Sequence, residues 1–304
     1  MIMQIVDAYL SIRRSAGFEL QVPEYLLRSF ARFAAKRGQS LIMTKTVIDW
    51  ASQAPSSGQR VHRYNIVIRL ACYAKLEDLQ HEIPPRGLLG NKKKRKPPFI
   101  FTQEEVGQLL TAACQLHPVD SLQPHTYSTL FALLVCTGLR ISEALNLTLD
   151  DITIDGLMIR DTKFKKSRLV PLHQTVQLGL EKYLVYRNDF PTDDQHIFIS
   201  ISGKGLVHSA VQWIFVKIIK KIGMDPAPRG WRRPRIHDFR HTFACRTLEV
   251  YQKEQDNIDR HIVALSAYMG HTNISDTYWY LESTPELMQS IAKSCESFWQ
   301  GDAS

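Results

Sequence analysis

Residues 84–98 read PPRGLLGNKKKRKPP, and this stretch decides how the rest of the chain is divided. Its four prolines and two glycines interrupt any regular element. The consecutive basic residues Lys92, Lys93, Lys94, Arg95 and Lys96 could enter a packed core only by burying unpaired charge. The stretch therefore reads as a connector, with a basic linker at 86–98 between an N-terminal domain over 1–85 and a C-terminal domain over 99–304. A chain of 304 residues is long enough for both parts to bury their own cores. The basic run itself is a solvated flexible connector, or in a eukaryote a nuclear localisation signal, or it lies along phosphates while the flanking domains take opposite sides of a duplex.

On the N-terminal side, apolar residues recur at helical spacing in Leu26, Phe30 and Phe33 and again in Ile66, Leu70 and Tyr73. Gly38, Pro55 and Gly58 punctuate this part, so about three to five short helices are expected. On the C-terminal side, Thr102 and Glu105 have the spacing of a capping box that opens a helix over 103–116. A second, apolar helix runs through Leu130, Phe131, Leu134 and Val135 and stops at Thr137-Gly138. Residues 152–172 alternate and include Val170-Pro171, which predicts two or three short strands. The remainder reads as helical, with a loop near Ser202-Gly203-Lys204-Gly205. The fold class is mainly α with a small β-sheet.

The formal net charge of +8, with a pI of about 9.2, favours an anionic partner such as nucleic acid. Residues 1–97 hold 17 Lys+Arg against 7 Asp+Glu, a surplus of +10, whereas the remaining 21 and 23 leave −2. The basic excess thus lies in the first third. Five cysteines without a C-x-x-C pair suggest neither a disulfide framework nor a zinc site, and a reducing cytosol fits them. Scattered histidines and unpaired carboxylates suggest no metal, and no cofactor is expected. Met1 to Leu10 lack the pattern of a secretory signal, and no segment approaches the roughly 18 apolar residues of a membrane span. The expectation is a soluble, cytoplasmic protein without a membrane partner, associated with the nucleoid when bound to DNA.

Four clusters carry the candidate chemistry: TGLRISEAL (137–145), TKFKKSRLVPL (162–172), HDFRHTFA (237–244) and GHTNISDTYWYL (270–281). Taken singly, each has a plain structural explanation. Arg140 suits a helix C-terminus, Lys163 a solvated strand, His237 a satisfied core histidine, and Tyr280 a core ring with its hydroxyl bonded. Taken together, they form a phosphoryl-transfer set. Two guanidiniums, Arg140 and Arg240, can clamp the non-bridging oxygens of a phosphodiester and spread the charge of a pentavalent transition state. A tyrosine hydroxyl must lose a proton to attack, and a departing sugar oxygen must gain one. His237, His271 and Lys163 are candidate proton carriers. A covalent phosphotyrosine would conserve the energy of the broken bond, so that resealing needs no nucleotide.

At these residues the chain resembles the tyrosine recombinases, the group that includes lambda-type integrases, Cre and the Xer recombinases. The resemblance covers nearly the whole chain. Thr137-Gly138-Leu139-Arg140-Ile141-Ser142-Glu143 is similar to the family's first arginine box, which implies Arg140 as a catalytic arginine and Glu143 as its support. Arg168-Leu169-Val170-Pro171-Leu172 is similar to the end of the family's β-hairpin motif, which implies Lys163 as general acid to the 5′-oxygen, with Lys165 and Lys166 as competitors. His237-Asp238-Phe239-Arg240-His241 matches the H-x-x-R-H box, implying catalytic His237 and Arg240 and a structural His241. Met269-Gly270-His271 matches the family's third histidine, and the nucleophile expected nine residues later is Tyr280. Tyr278 competes, but two positions on a helix point about 200° apart, so one of the pair can face the arginines.

The resemblance further implies a helical, SAM-like core-binding domain and an α+β integrase-like catalytic domain that close as a C-shaped clamp on double-stranded DNA with inverted-repeat recombination sites. It implies a homotetramer on DNA, with accessory recombinases or DNA-bending proteins as further candidate partners. Arg229, Arg232, Arg233 and Arg235 join the Lys92–Lys96 run as candidate DNA contacts. A C-terminal helix over 285–299, with Leu287, Met288, Ile291 and Phe298, would pack on its own domain or on a neighbouring protomer. The few residues before the first helix argue against a separate arm-binding domain. A recombinase of a mobile genetic element is the preferred reading. A type IB topoisomerase-like enzyme and a catalytically inactive sequence-specific DNA-binding factor are the alternatives.

Overall fold

A computed structural model describes residues 2–90, 97–160, 167–224, 233–253, 258–270, 273–275, 277 and 280. The chain divides into two compact units, residues 1–96 and 97–304.

The described part of the first unit is built from α1 (Ile2–Ser15), α2 (Gln21–Ala35), α3 (Thr44–Ser52) and α4 (Ser57–Glu77). The helical periodicity of the sequence becomes its core: Leu26 and Phe30 of α2 and Ile66 and Leu70 of α4 are buried with Val6, Leu10 and Trp50. Phe30 meets Trp50 edge-on at 5.4 Å, a geometry that adds attraction to simple burial. Gly38, at φ 68, ends α2 in the left-handed region. Gly58 departs from its reading as punctuation, because it lies in the first turn of α4. The hydroxyl of Ser56 accepts from the Gln59 amide and sets the start of that helix, outweighing glycine's weak propensity. Beyond α4, the buried ring of His81 accepts from the Ile42 amide at 2.9 Å, and Glu82 accepts from the Thr44 amide at 2.7 Å. These bonds tie the segment after α4 to the start of α3. Leu89, from the connector stretch, packs on the same core. Lys92, Lys93, Lys94, Arg95 and Lys96 lie outside the described residues.

The second unit opens with α5 (Gln103–Cys114), where the Thr102 hydroxyl accepts from the Glu105 amide and the Glu105 carboxylate accepts from the Thr102 amide. The capping box read from sequence is present. There follow α6 (Leu122–Thr137), α7 (Ile141–Leu145), a single 3-10 turn (Leu149–Asp151) and the strands β1 (Ile152–Thr153), β2 (Gly156–Ile159) and β3 (Arg168–Val170). The sheet is antiparallel in the order β1-β2-β3, with Ile152 opposite Leu157 and Ile159 opposite Arg168. Then come α8 (Gln174–Asn188), α9 (His208–Lys221), α10 (His237–Lys253) and α11 (Ile258–Met269).

Phe101, Phe131, Phe215 and Phe239 occupy the centre of this unit, with Phe239 5.0–5.9 Å from the other three rings. Each buried ring contributes on the order of 2–3 kcal/mol. Helix α10 stands between two apolar clusters. Phe239 enters the main core, while Ala244, Cys245 and Leu248 face a smaller cluster with Ile262, Leu265 and Met269 of α11 and with Tyr280. Among the described residues, no helix is long and apolar enough to cross a membrane.

Candidate active site

The site begins where α6 ends. Gly138 closes the helix at φ 61, and a Cβ there would stand 2.5 Å from Cδ1 of Phe243. Only glycine fits both the left-handed backbone and the close approach of α10. Two residues later Arg140 sits at the N-cap of α7, and Glu143 folds back onto it. The Arg140 amide donates to Oε2 of Glu143 at 2.9 Å, and Nη1 of Arg140 donates to Oε1 at 2.7 Å.

The same carboxylate takes a second guanidinium, from β3. Nη1 of Arg168 donates to Oε1 at 3.1 Å, Nη2 donates to Oε2 at 2.8 Å, and Nε donates to the carbonyl of Tyr268 at 2.8 Å. The Glu143 side chain is only 7% exposed. Burial alone would push its carboxyl upward; the hydrogen bonds from Arg168 and Arg140 outweigh that and hold it at about 2.

The third arginine is the most enclosed. Arg240, buried on α10, donates to the carbonyls of Gly138, at 2.6 Å, and of Met269. Burial and the neighbouring charge of Arg140 lower its pKa to about 10, so it is still a cation at neutral pH. The carbonyl of Gly270 accepts from Nη2 of Arg140 at 3.2 Å. Three successive carbonyls at the end of α11, those of Tyr268, Met269 and Gly270, thus each receive a different arginine. Three guanidiniums around one carboxylate leave a local surplus of positive charge. Arg140 remains 31% exposed and has N–H groups left to offer an anion.

Tyr280 is buried beside this cluster. Burial raises its pKa, while the hydrogen bond and charge of Arg240 and the charge of Arg140 pull the other way. Its ring lies 5.5 Å from that of His241, which stands edge-on to His237 at 4.7 Å. His237 is exposed at the first turn of α10. The buried carboxylate of Asp238 fixes that turn by accepting from the Arg235 amide at 2.8 Å.

Of the residues singled out in the sequence, Arg140, Glu143, Arg240 and Tyr280 are brought together, with His237 one ring further out. Arg233 and Arg235 are exposed just ahead of α10. Lys163, Lys165, Lys166, Arg229, Arg232, His271, Tyr278 and the stretch 285–299 lie outside the described residues. Arg168 is the residue whose part in the site the sequence reading missed. It marks the RLVPL motif, but neither Glu143 nor Tyr268 is its neighbour in sequence.

Comparison with known proteins identifies the family. The model of the phage integrase family matches residues 100–286. The Sinorhizobium fredii protein y4rB, which carries an integrase/recombinase name, is 36% identical over 308 residues, covering 98% of each chain. Tyrosine recombinase XerA of Pyrococcus horikoshii is 28% identical, covering 82% of this chain and 80% of its own. In fold, the chain is similar to lambda integrase in a tetramer bound to a Holliday junction, with a TM-score of 0.65 over 92% of this chain and 76% of that one at 16% identity. The chain belongs to the phage integrase family. Its class of activity is that of the tyrosine recombinases: DNA strand transfer in site-specific recombination.

Proposed function

We propose that Tyr280 is the nucleophile of this strand transfer and that Arg140 and Arg240 hold the scissile phosphate. The tyrosine oxygen attacks phosphorus and gives its proton to a nearby base. The bond to the 5′-oxygen breaks, that oxygen takes up a proton, and a 3′-phosphotyrosyl link remains. Attack by a 5′-hydroxyl of the partner strand reverses each step, so resealing needs no nucleotide. The observation that carries this reading is that Tyr280 is buried beside the equally buried Arg240, with the charges of Arg240 and Arg140 both acting to lower the pKa of its phenol. Preorganised guanidiniums of this kind stabilise the charge that develops on the non-bridging oxygens.

The resemblance to the family assigns Lys163 as proton donor to the leaving oxygen and His237 and His271 as further proton carriers, with Glu143 supporting Arg140. The DNA is double-stranded and carries inverted-repeat sites, and the working assembly is a homotetramer. Residues 1–85 form a DNA-binding domain, residues 86–98 a basic linker and residues 99–304 the catalytic domain. Lys92 to Lys96 and Arg229, Arg232, Arg233 and Arg235 supply phosphate contacts. Lambda integrase, a relative in fold, has been solved as a tetramer on a Holliday junction, which supports that assembly. The integrase/recombinase name of y4rB supports service to a mobile element.

Covalent capture tests the reading. The protein is incubated with DNA spanning the ends of its parent element, both polymers are digested, and the 277–281 peptide is searched for a nucleotide adduct by mass spectrometry. An adduct on Tyr280, absent from Tyr280→Phe, is expected. An adduct on Tyr278 overturns the nucleophile, and site-specific binding without any adduct favours a DNA-binding factor without catalysis.

A further inference from the structure

We propose that Arg168 is a positioning residue for this reaction: it locks the Glu143 carboxylate against Arg140 and fixes the end of α11, without touching the phosphate itself. The inference rests on the reaction proposed above.

Each of the three nitrogens of the Arg168 guanidinium has a partner. Nη1 and Nη2 take the two oxygens of Glu143, and Nε takes the carbonyl of Tyr268. The side chain is 14% exposed, against 31% for Arg140. The planar fork therefore points into the protein, and the more open cation is Arg140. Glu143 in turn receives four hydrogen bonds, two from Arg140 and two from Arg168. With both carboxylate oxygens bridged by Arg168, the carboxylate has one orientation. Because Nη1 of Arg140 bonds to one of those oxygens, that orientation also aims the Arg140 guanidinium.

The second arm of the clamp reaches the chain just ahead of His271. A Cβ on Gly270 would lie 2.9 Å from Nη1 of Arg168, so the backbone there is seated directly on the guanidinium. Gly270 also adopts φ 64, which glycine tolerates best. A lysine at 168 would keep the charge but could not bridge both Glu143 oxygens and reach Tyr268 at once. Arg168 is also the first residue of β3, directly beyond the segment that carries Lys163. One side chain thus ties the hairpin, the Arg140 turn and the end of α11 to a common point.

The test compares wild type, Arg168→Met, Arg168→Lys, Glu143→Gln and the Arg168→Met/Glu143→Gln double variant. Formation of the phosphotyrosyl adduct is followed in single turnover across a DNA titration, with thermal unfolding run alongside. Arg168→Met is expected to lower the maximal rate by about 30- to 100-fold while DNA half-saturation stays within about threefold. Arg168→Lys is expected to recover part of the loss. The double variant is expected to be no slower than Glu143→Gln alone, because both changes break the same link. Multiplicative losses in the double variant, or wild-type rates in Arg168→Met, overturn the proposal. Should Arg168→Met fail to fold, the lysine variant decides, and a wild-type rate there overturns the clamp because charge alone would then suffice. If wild type forms no adduct on any such DNA, the reaction reading falls and the positioning role with it; an active wild type with an equally active Arg168→Met removes the positioning role alone.

Discussion

Arg240 donates to the carbonyl of Gly138 at 2.6 Å, so the left-handed turn that ends α6 also orients the most buried guanidinium of the site. Helix termination and the placing of the Arg240 guanidinium share one peptide group. Gly138→Ala combines a strained backbone with a collision against Phe243. The expected cost is about 1–3 kcal/mol of stability, read as a lower urea midpoint, with a loss of strand cleavage larger than the loss of stability explains.

Arg240→Lys keeps a cation but not the fork that spans the carbonyls of Gly138 and Met269. The rate of covalent adduct formation is expected to fall by about 100-fold or more. Affinity for DNA, measured by fluorescence anisotropy, is expected to change by less than about threefold, because the many phosphate contacts along a duplex remain. A parallel collapse of affinity would mean that Arg240 serves binding and not the transition state.

The acid limb of stability carries the signature of Glu143. Its folded pKa, about 2, lies below the ordinary value of 4.5, so the group stabilises the fold at pH above 4.5 and loses that contribution as pH falls toward 2. The shift corresponds to roughly 3 kcal/mol at most. Glu143→Gln is therefore expected to be less stable than wild type at pH 7, with the gap closing between about pH 5 and 2.5. Chemical unfolding at a series of pH values reads the difference. A gap that stays constant with pH would assign it to packing alone.

The cysteines are expected to separate by reactivity. Cys72 and Cys114 are exposed, whereas Cys245 is buried between α10 and α11, and burial pushes its thiol up to about 12. Alkylation at pH 8 followed by peptide mapping is expected to label Cys72 and Cys114 within minutes and Cys245 only after unfolding. Cys136 is exposed as well, and it should lag behind the first two only because desolvation raises the pKa of its thiol.

What was legible in the sequence was local. Thr102 and Glu105 marked the start of α5 because a capping box is written within four positions, and Gly138 marked the end of α6 because a left-handed cap wants glycine. The arginine and tyrosine motifs were legible through their resemblance to a family, and of the residues they name Arg140, Glu143, Arg240 and Tyr280 lie together in the structure. Gly58 misled because the Ser56 cap beside it outweighed the usual meaning of glycine. The part of Arg168 could not be read at all. Its two partners lie 25 and 100 residues away, and no periodicity or spacing rule connects a strand residue to a carboxylate and a helix end at such distances.

The three carbonyls at the end of α11 also bear on how the molecule comes to be active. Their donors are separated from them in the chain by 130, 100 and 29 residues. Contacts of such sequence separation carry the largest loop-closure cost and tend to form late in folding. A nascent or half-refolded chain would hold its helices before it holds its arginines in place. During refolding, competence to form the adduct is then expected to lag behind recovery of helical circular dichroism. A chain that can break DNA strands would in this way acquire the ability only once its tertiary structure is complete.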